Sequence, residues 1–271
     1  MRVLKQIFDF YINSSIHVGL SCYALVRMTQ YMFHISYNEV VANFAFFGTI
    51  VGYNFVKYDA LLRTKKIKFC GQLQWIALLS FLSLIATSYY FFHLERVAQI
   101  IGLVFLIIVL LYTLPFFPNK KNARNWAGIK IYIVALCWVG VTLFLPIVNS
   151  NIGVTSFVFL VAIQRYILIF VLILIFEIVD LKLDDPHLKT VPQQIGVPQT
   201  KIVGVVLMVL FVLLEFLSND FRIEFLALKI GLASTTVLFL VYANENGSRY
   251  YASFWVESIP VFWWLFLMVF S

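Results

Sequence analysis

The stretch that decides the fold covers residues 154–180 and reads VTSFVFLVAIQRYILIFVLILIFEIVD. Nearly every residue before the closing acidic ones is apolar, and a hydrocarbon core about 30 Å thick needs about 20 such residues per helix. The stretch therefore predicts a transmembrane helix. It carries Arg165 inside the span and ends in Glu177 and Asp180.

The rest of the chain consists of similar apolar stretches that short polar segments separate. Of its 271 residues, 62% are hydrophobic and 12% are charged, whereas a soluble domain is about 25% charged. We predict one all-α membrane domain over residues 1–271, with about nine spans near residues 12–34, 39–58, 73–93, 97–117, 128–148, 154–180, 201–218, 223–243 and 251–270. A net charge of +7 suits nucleic acid only on a water-exposed basic face, so we expect no nucleic-acid partner for so apolar a chain.

Lysine and arginine residues are concentrated in alternate loops. The N-terminus and the loops after the second, fourth, sixth and eighth spans contain Arg2, Lys5, Lys57, Arg63, Lys65, Lys66, Lys68, Lys120, Lys121, Arg124, Lys130, Lys182, Lys189, Lys201 and Arg249. Because positive residues are retained on the cytoplasmic side, we predict a cytoplasmic N-terminus and an outside C-terminus. In a bacterium the membrane is expected to be the inner, or plasma, membrane.

The acidic residues that close the sixth span indicate a site of chemistry. At about 100° per residue, Glu177, Asp180 and Asp184 fall within roughly a 60° arc of one helix face, and Asp185 points away from it. Carboxylates packed this closely repel one another unless a cation compensates, and Mg²⁺ takes such oxygen ligands while it bridges to phosphates. The cluster predicts a Mg²⁺-bound diphosphate site. The spacing alone equally allows a solvated acidic loop that pairs with local lysines.

The same segment resembles a motif of a known family. Its D-x-x-x-D run at Asp180 and Asp184, with the K-T-x-P-x-x-x-G stretch from Lys189 to Gly196, resembles the second aspartate-rich motif of the UbiA prenyltransferase superfamily. Residues 111–115, the basic loop after them and residues 128–130 are similar to the family's middle region. With about nine spans, the resemblance extends over essentially the whole chain.

The resemblance implies a helical bundle around a central cavity. It also implies a prenyltransferase that uses Mg²⁺ to move an isoprenyl group from an isoprenyl diphosphate to an aromatic or other lipophilic acceptor. By the resemblance, Asp180, Asp184 and Asn54 are catalytic, and Glu177 and Asp59 join them as metal ligands. The residues expected to bind the diphosphate are Lys57, Arg63, Lys120, Lys121, Arg124, Arg165, Lys182 and Lys189.

The family's first motif, N-x-x-x-D-x-x-x-D at the end of the second span, is altered in this chain. Asn54 is followed at those offsets by Tyr58 and Leu62, and the nearby Asp59 lies about 140° from Asn54 if the helix continues. This departure favours an alternative function, a non-catalytic lipid-binding or transport-like protein of the same fold. An unrelated transporter would call for paired interrupted helices in the two halves of the chain, and we find no such pair.

Two arginines lie within predicted spans. A charge at that depth marks a candidate functional site, so Arg165 and Arg27 are each expected to contact a diphosphate, an acceptor or a carboxylate. A buried ion pair, or a side chain that extends to the span end, is an alternative for both residues.

Overall fold

The structure of the protein, a computed structural model, describes residues 2–63, 70–114, 128–218 and 221–270. All regular elements in these ranges are helices, so the predicted all-α class is confirmed. Eight of the helices are long and apolar enough to cross a membrane, which is close to the predicted number. The chain is an integral membrane protein. The described part divides into two compact units, and the prediction of a single domain stays a prediction.

The first unit comprises residues 1–123 and 140–152. Its helices are α1 (Arg2–Asn13), α2 (Ile16–Met32), α3 (Glu39–Arg63), α4 (Gln72–Phe91) and α5 (Arg96–Thr113), and it also contains α7 (Leu145–Asn149) with the π-helical turn Gly140–Phe144 before it. The turn accommodates a close contact, because a Cβ atom at Gly140 would lie 1.7 Å from the ring of Phe105. Only glycine fits at that position.

The predicted first span, residues 12–34, is interrupted in the structure. The chain turns at Ser14 and Ser15 between α1 and α2, and Ser15 has a left-handed backbone with φ of 60°. As a result α2 has only 17 residues, and it is not among the eight helices that are long enough to cross a membrane. The other eight predicted spans each correspond to one of those eight helices.

The second unit comprises residues 124–139 and 153–271. It contains α6 (Lys130–Val139), α8 (Ser156–Val179), the short 3₁₀ turn Pro186–Leu188, α9 (Val191–Ile195), α10 (Val197–Leu213) with the 3₁₀ turn Leu214–Leu217, α11 (Ile223–Tyr242), the π-helical turn Tyr251–Val256 and α12 (Ile259–Phe270).

The core of the second unit forms around α8. This helix is 72% buried, whereas the other membrane-crossing helices are 17–50% buried, and α6, α10 and α11 all pack against it. Between α10 and α11, a Cβ atom at Gly204 would lie 2.4 Å from a methyl group of Leu240. A residue without a side chain lets the two helices approach closely, as small residues do at helix contacts in membranes.

Candidate functional site

The predicted acidic cluster begins where α8 ends. Asp180 directly follows the helix, and its carbonyl oxygen accepts hydrogen bonds from the backbone N–H groups of Leu183 (2.8 Å) and Asp184 (2.9 Å). These bonds continue the helical spacing for one more turn. The charges of Asp180 and Asp184 therefore act on each other, as their shared helix face predicts.

Lys130, the first residue of α6, lies beside this carboxylate pair. Its Nζ atom is 4.0 Å from Oδ2 of Asp184, and both side chains are partly buried. The position of Lys130 is fixed by a backbone bond just before it, from the N–H group of Gly128 to the carbonyl oxygen of Leu188 (3.0 Å). The sequence-based assignment of diphosphate-binding residues did not include Lys130, although the stretch 128–130 carried part of the resemblance.

The negative charge of Asp180 and Asp184 is only partly compensated by Lys130. Burial, and then the charge of Asp184, raise the pKa of Asp180 above its ordinary value, while Lys130 opposes this shift. Oδ2 of Asp184 is buried and accepts no hydrogen bond from the described residues. A buried carboxylate oxygen without a donor is costly, and a bound cation would satisfy it.

Glu177 has a different environment from the aspartates. It is only 2% exposed, and its Oε2 atom accepts a hydrogen bond from the backbone N–H of Val191 (3.1 Å), the first residue of α9. A carboxylate at a helix N-terminus is stabilising. Glu177 thus anchors the loop that follows the acidic cluster, and its predicted role as a metal ligand stays a prediction.

The K-T-x-P-x-x-x-G stretch folds into a small cap on this end of the unit. Oε1 of Gln193 accepts a hydrogen bond from the backbone N–H of Thr190 (3.0 Å), which starts α9. The helix ends at Gly196, whose φ of 80° is a left-handed conformation that favours glycine. Lys189, also left-handed with φ of 46°, is exposed on this cap.

Two of the other predicted diphosphate-binding cations bond to protein groups within their own units. Lys182 lies 3.5 Å from Glu245 and donates a hydrogen bond to Asn246, so it pairs with the loop before the last span. Lys57, in the first unit, donates to the carbonyl oxygen of Asn13 (3.2 Å). Lys120, Lys121 and Arg124 lie outside the described residues, as does the side chain of Arg63.

Asn54 connects α3 to the turn between α1 and α2. Its Nδ2 group donates hydrogen bonds to the carbonyl oxygen of Ser14 (3.0 Å) and to Oγ of Ser80 (2.9 Å). Its Oδ1 atom accepts a hydrogen bond from Oγ of Ser15 (2.8 Å). The side chain is 4% exposed. These bonds fix the turn that interrupts the first predicted span, and the predicted metal role of Asn54 stays a prediction.

At the two positions where the first motif has aspartates, this chain has Tyr58 and Leu62. The hydroxyl of Tyr58 donates a hydrogen bond to the carbonyl oxygen of Asn13 (2.8 Å). Tyr58 therefore stabilises the end of α1. Because α3 continues to Arg63, Asp59 lies on the helix about 140° from Asn54. No loop returns its carboxylate to the face of Asn54.

Arg165 lies in a second polar cluster inside the second unit. It is about 22 Å along α8 from Asp180 at 1.5 Å per residue, and its charge acts on Lys229 of α11. Lys229 forms a buried ion pair with Glu215 and donates to Oε1 of Gln164 (2.8 Å). Gln164 in turn donates to Glu215 (3.2 Å). The structure therefore separates Arg165 from the acidic end of α8.

A metal cage made only of protein ligands is absent from the described residues, because no three His, Cys, Asp or Glu side chains converge there. The residues present fit a metal held by one or two carboxylates that shares its remaining positions with phosphate oxygens and water, as Mg²⁺ commonly is. Oδ2 of Asp184, which accepts no hydrogen bond from the described residues and lies 4.0 Å from Nζ of Lys130, is the feature that fits such an ion.

No protein-family profile matches the chain, and no curated protein matches it. Solved structures do. A UbiA homolog from Archaeoglobus fulgidus matches with a TM-score of 0.55 and 14% identity, over 99% of this chain and 97% of that chain. The same homolog bound to GPP and Mg²⁺ matches with a TM-score of 0.55 and 13% identity, over 99% and 97%.

A digeranylgeranylglyceryl phosphate synthase matches to the same degree, with a TM-score of 0.55 and 14% identity over 98% of this chain and 96% of that chain. At these identities the likeness concerns the fold, and it extends over nearly the full length of each chain. The resemblance read from residues 180–196 and the structural likeness agree. This chain has the UbiA fold.

Proposed function

We propose that this chain is a Mg²⁺-dependent prenyltransferase that acts on an isoprenyl diphosphate. The observation that carries the proposal is the buried oxygen of Asp184 without a hydrogen-bond donor, beside Asp180 and Lys130. Asp180 and Asp184 would hold the metal together with diphosphate oxygens. A Mg²⁺ ion held there would neutralise the charge that develops on the leaving diphosphate.

The chain's own residues then have distinct roles. Lys130 supplies a fixed positive charge at the diphosphate, and the partly buried setting strengthens that attraction. In the transfer the allylic C–O bond breaks and its electron pair leaves with the diphosphate. A nucleophilic atom of the lipophilic acceptor forms the new bond to the allylic carbon and then loses its proton to the released diphosphate. In the orientation that the positive-inside pattern predicts, this site faces the cytoplasm.

The proposal is tested by titrating purified protein with an unreactive isoprenyl diphosphate analogue, with and without Mg²⁺. Asp184→Asn is expected to weaken Mg²⁺-dependent binding by about 100-fold, because it removes a charged metal ligand. Asp185→Asn is the matched control. Asp185 is exposed, and its Oδ1 accepts from the backbone N–H of His187 (2.9 Å), a bond that asparagine preserves. Equal binding by the two variants would refute the assignment.

A second candidate function is favoured by the hydrogen bonds of the first-motif positions. The side chain of Asn54 is bonded at both polar atoms, and Tyr58 holds the end of α1. These contacts support the alternative of a non-catalytic, lipid-binding or transport-like protein of the same fold. An assay with labelled isoprenyl diphosphate and a set of lipophilic acceptors separates the two functions, since only the enzyme yields labelled product.

A further inference from the structure

A polar cavity lies in the first unit, where α2 leads into α3 and where α7 ends. Its volume is about 400 Å³, and its polar lining comes from His34, Ser36, Tyr37, Asn38, Asn149 and Ser150. In the predicted orientation the loops after the first and fifth spans face the outside of the membrane. The cavity thus lies at a membrane surface and is separate in sequence from the acidic site.

Asn149 brings a buried donor to this cavity. The residue is only 7% exposed, and its Oδ1 atom accepts a hydrogen bond from the backbone N–H of Glu95 (2.9 Å). That bond identifies the other terminal atom as the NH₂ group, which donates to none of the described residues. This NH₂ group is not one of the fully buried atoms without a partner, so it is accessible from the cavity that Asn149 lines. The position of Asn149 in the cavity lining allows a ligand to supply the missing acceptor.

The loop before α3 adds further donors. No described residue accepts a hydrogen bond from the backbone N–H groups of Ser36, Tyr37 or Asn38. The side chain of Asn38 accepts from the N–H of Val40 (2.9 Å), in the manner of a helix N-cap. Helix α3, of 25 residues, begins directly after Asn38, and its N-terminus carries partial positive charge.

Arg27 places a full positive charge behind the loop. It lies five residues before the end of α2, with its guanidinium carbon 3.4 Å from the ring centre of Tyr37. Its Nη1 donates to Gln30, and its Nε is buried with no partner among the described residues. Gln30 donates in turn to the carbonyl oxygen of Asn38 (2.8 Å). Arg27 therefore extends toward this end of the unit.

The acidic residue that directly follows the loop, Glu39, is already bonded. Oε1 of Glu39 accepts a hydrogen bond from the hydroxyl of Tyr37 (2.8 Å). Hydrogen bonds with Tyr23 and Glu39 raise the pKa of Tyr37 to about 12, so this hydroxyl remains a donor at neutral pH. The cavity therefore combines donors that bond to no described residue with the positive charge of Arg27, which does not line the cavity but stacks on the lining residue Tyr37. The hydroxyl of Tyr37 binds the adjacent carboxylate.

We propose that this cavity binds a phosphate group, and that the phosphate belongs to the headgroup of a membrane phospholipid. Phosphate oxygens accept from N–H donors at helix N-termini and pair with arginine. A cavity at the end of membrane-crossing helices is at the level of lipid headgroups. The proposal does not rest on the proposed enzyme site, because Asn149 and Asp184 belong to different units.

The test uses the full chain in detergent and native mass spectrometry, with phosphatidylglycerol and phosphatidylethanolamine titrated against diacylglycerol, which lacks phosphate. Asn149→Asp retains the acceptor for Glu95 but replaces the donor with a negative charge. It is expected to weaken phospholipid binding about tenfold or more. Asn151→Asp is the matched control, because Asn151 is exposed and does not line the cavity. Binding by this control should equal that of the wild type.

A second variant guards against a local folding effect. Arg27→Gln keeps a polar group but removes the charge, and it is expected to weaken phospholipid binding several-fold at an unchanged melting temperature. Asp184→Asn should leave this binding unchanged. The proposal is overturned if Asn149→Asp and Arg27→Gln both bind like the wild type. It is equally overturned if diacylglycerol binds as well as the phospholipids.

Glycerol 3-phosphate separates the two sources of phosphate. If it binds with the same sensitivity to Asn149→Asp, the site accepts soluble phosphate esters. If only phospholipids show that sensitivity, the lipid is the occupant. Sensitivity to Asn149→Asp or to Arg27→Gln in either titration supports phosphate recognition, and its absence for both variants in both titrations rejects phosphate recognition.

Discussion

The polar face of α3 in the first unit and the acidic end of α8 in the second unit hold the residues compared above with the two aspartate-rich motifs. The polar atoms of these two regions differ in how completely they are hydrogen-bonded. On α3, both polar atoms of Asn54 have protein partners, and Tyr58 bonds to Asn13. At the end of α8, an oxygen of Asp184 is buried without a donor. A polar cluster that is fully bonded stabilises the local structure, whereas one left incomplete has capacity to bind a ligand.

The largest effect on this comparison is expected from Asn54→Ala. The change removes the three hydrogen bonds that join Asn54 to the carbonyl oxygen of Ser14 and to the hydroxyls of Ser15 and Ser80, so we expect the free energy of unfolding to fall by about 2–4 kcal/mol. The measurement is detergent-based unfolding followed by circular dichroism. Asn43→Ala, which removes one weaker bond to Tyr90 (3.3 Å), is the control and should cost less than about 1 kcal/mol.

A different outcome for Asn54→Ala would overturn the contrast. If stability is unchanged and Mg²⁺-dependent binding of the diphosphate analogue is lost, then Asn54 acts as the metal ligand that the sequence predicts.

Lys130→Met tests the acidic end of α8. Without this cation, the carboxylate pair and the diphosphate repel each other more strongly, and the affinity for the diphosphate analogue is expected to fall about tenfold. Isothermal titration in Mg²⁺ measures it. Lys201→Met removes an equivalent charge from α10, where Lys201 donates to the carbonyl oxygen of Val241 (2.7 Å), and should bind as the wild type does. A loss shared by both variants would indicate a general effect of net charge.

Tyr58→Phe has a smaller expected effect. It removes one hydrogen bond to the end of α1, so stability should fall by about 1 kcal/mol or less, without a change in diphosphate binding. The same unfolding assay applies. Tyr89→Phe is the control, because Tyr89 is 60% exposed and its loss of a hydroxyl should leave stability unchanged. A marked loss of diphosphate binding in Tyr58→Phe would instead assign this hydroxyl to the ligand site.

The smallest effect concerns pH and Asp180, measured without metal. The pKa of this carboxyl is raised in the folded state by burial and by Asp184, so folding favours the protonated form. The wild type should lose stability relative to Asp180→Asn as pH rises from about 3.8, the ordinary value, through the raised pKa. Unfolding midpoints across that range measure the divergence. In an Asp184→Asn background the divergence should shrink, and a divergence of the opposite sign would contradict the prediction.

Much of the fold was predictable from the sequence, because a run of about 20 apolar residues has few alternatives to a membrane-crossing helix. The helical spacing of Asp180 and Asp184 was also predictable, since it depends on local backbone geometry. The break at Ser14 and Ser15 was not, because it depends on hydrogen bonds to Asn54, about 40 residues away in the chain.

The position of Lys130 was equally inaccessible to sequence analysis. Its proximity to Asp184 depends on α6 packing against α8 and on the backbone bond between Gly128 and Leu188. Likewise, nothing in the apolar pattern indicated that Gln164 would accept a hydrogen bond from Lys229. Contacts between helices are determined by side-chain packing, which the periodicity of one helix does not encode.

The buried pair of Glu215 and Lys229 has a consequence for how the chain enters the bilayer. The two residues lie 14 positions apart, on either side of the connection between α10 and α11. A lone charge within a span costs up to about 3.5 kcal/mol during insertion, and mutual neutralisation removes most of that penalty. We therefore expect α10 and α11 to leave the insertion machinery together as a hairpin. Gln164 of the previously inserted α8 then forms hydrogen bonds with both Lys229 and Glu215.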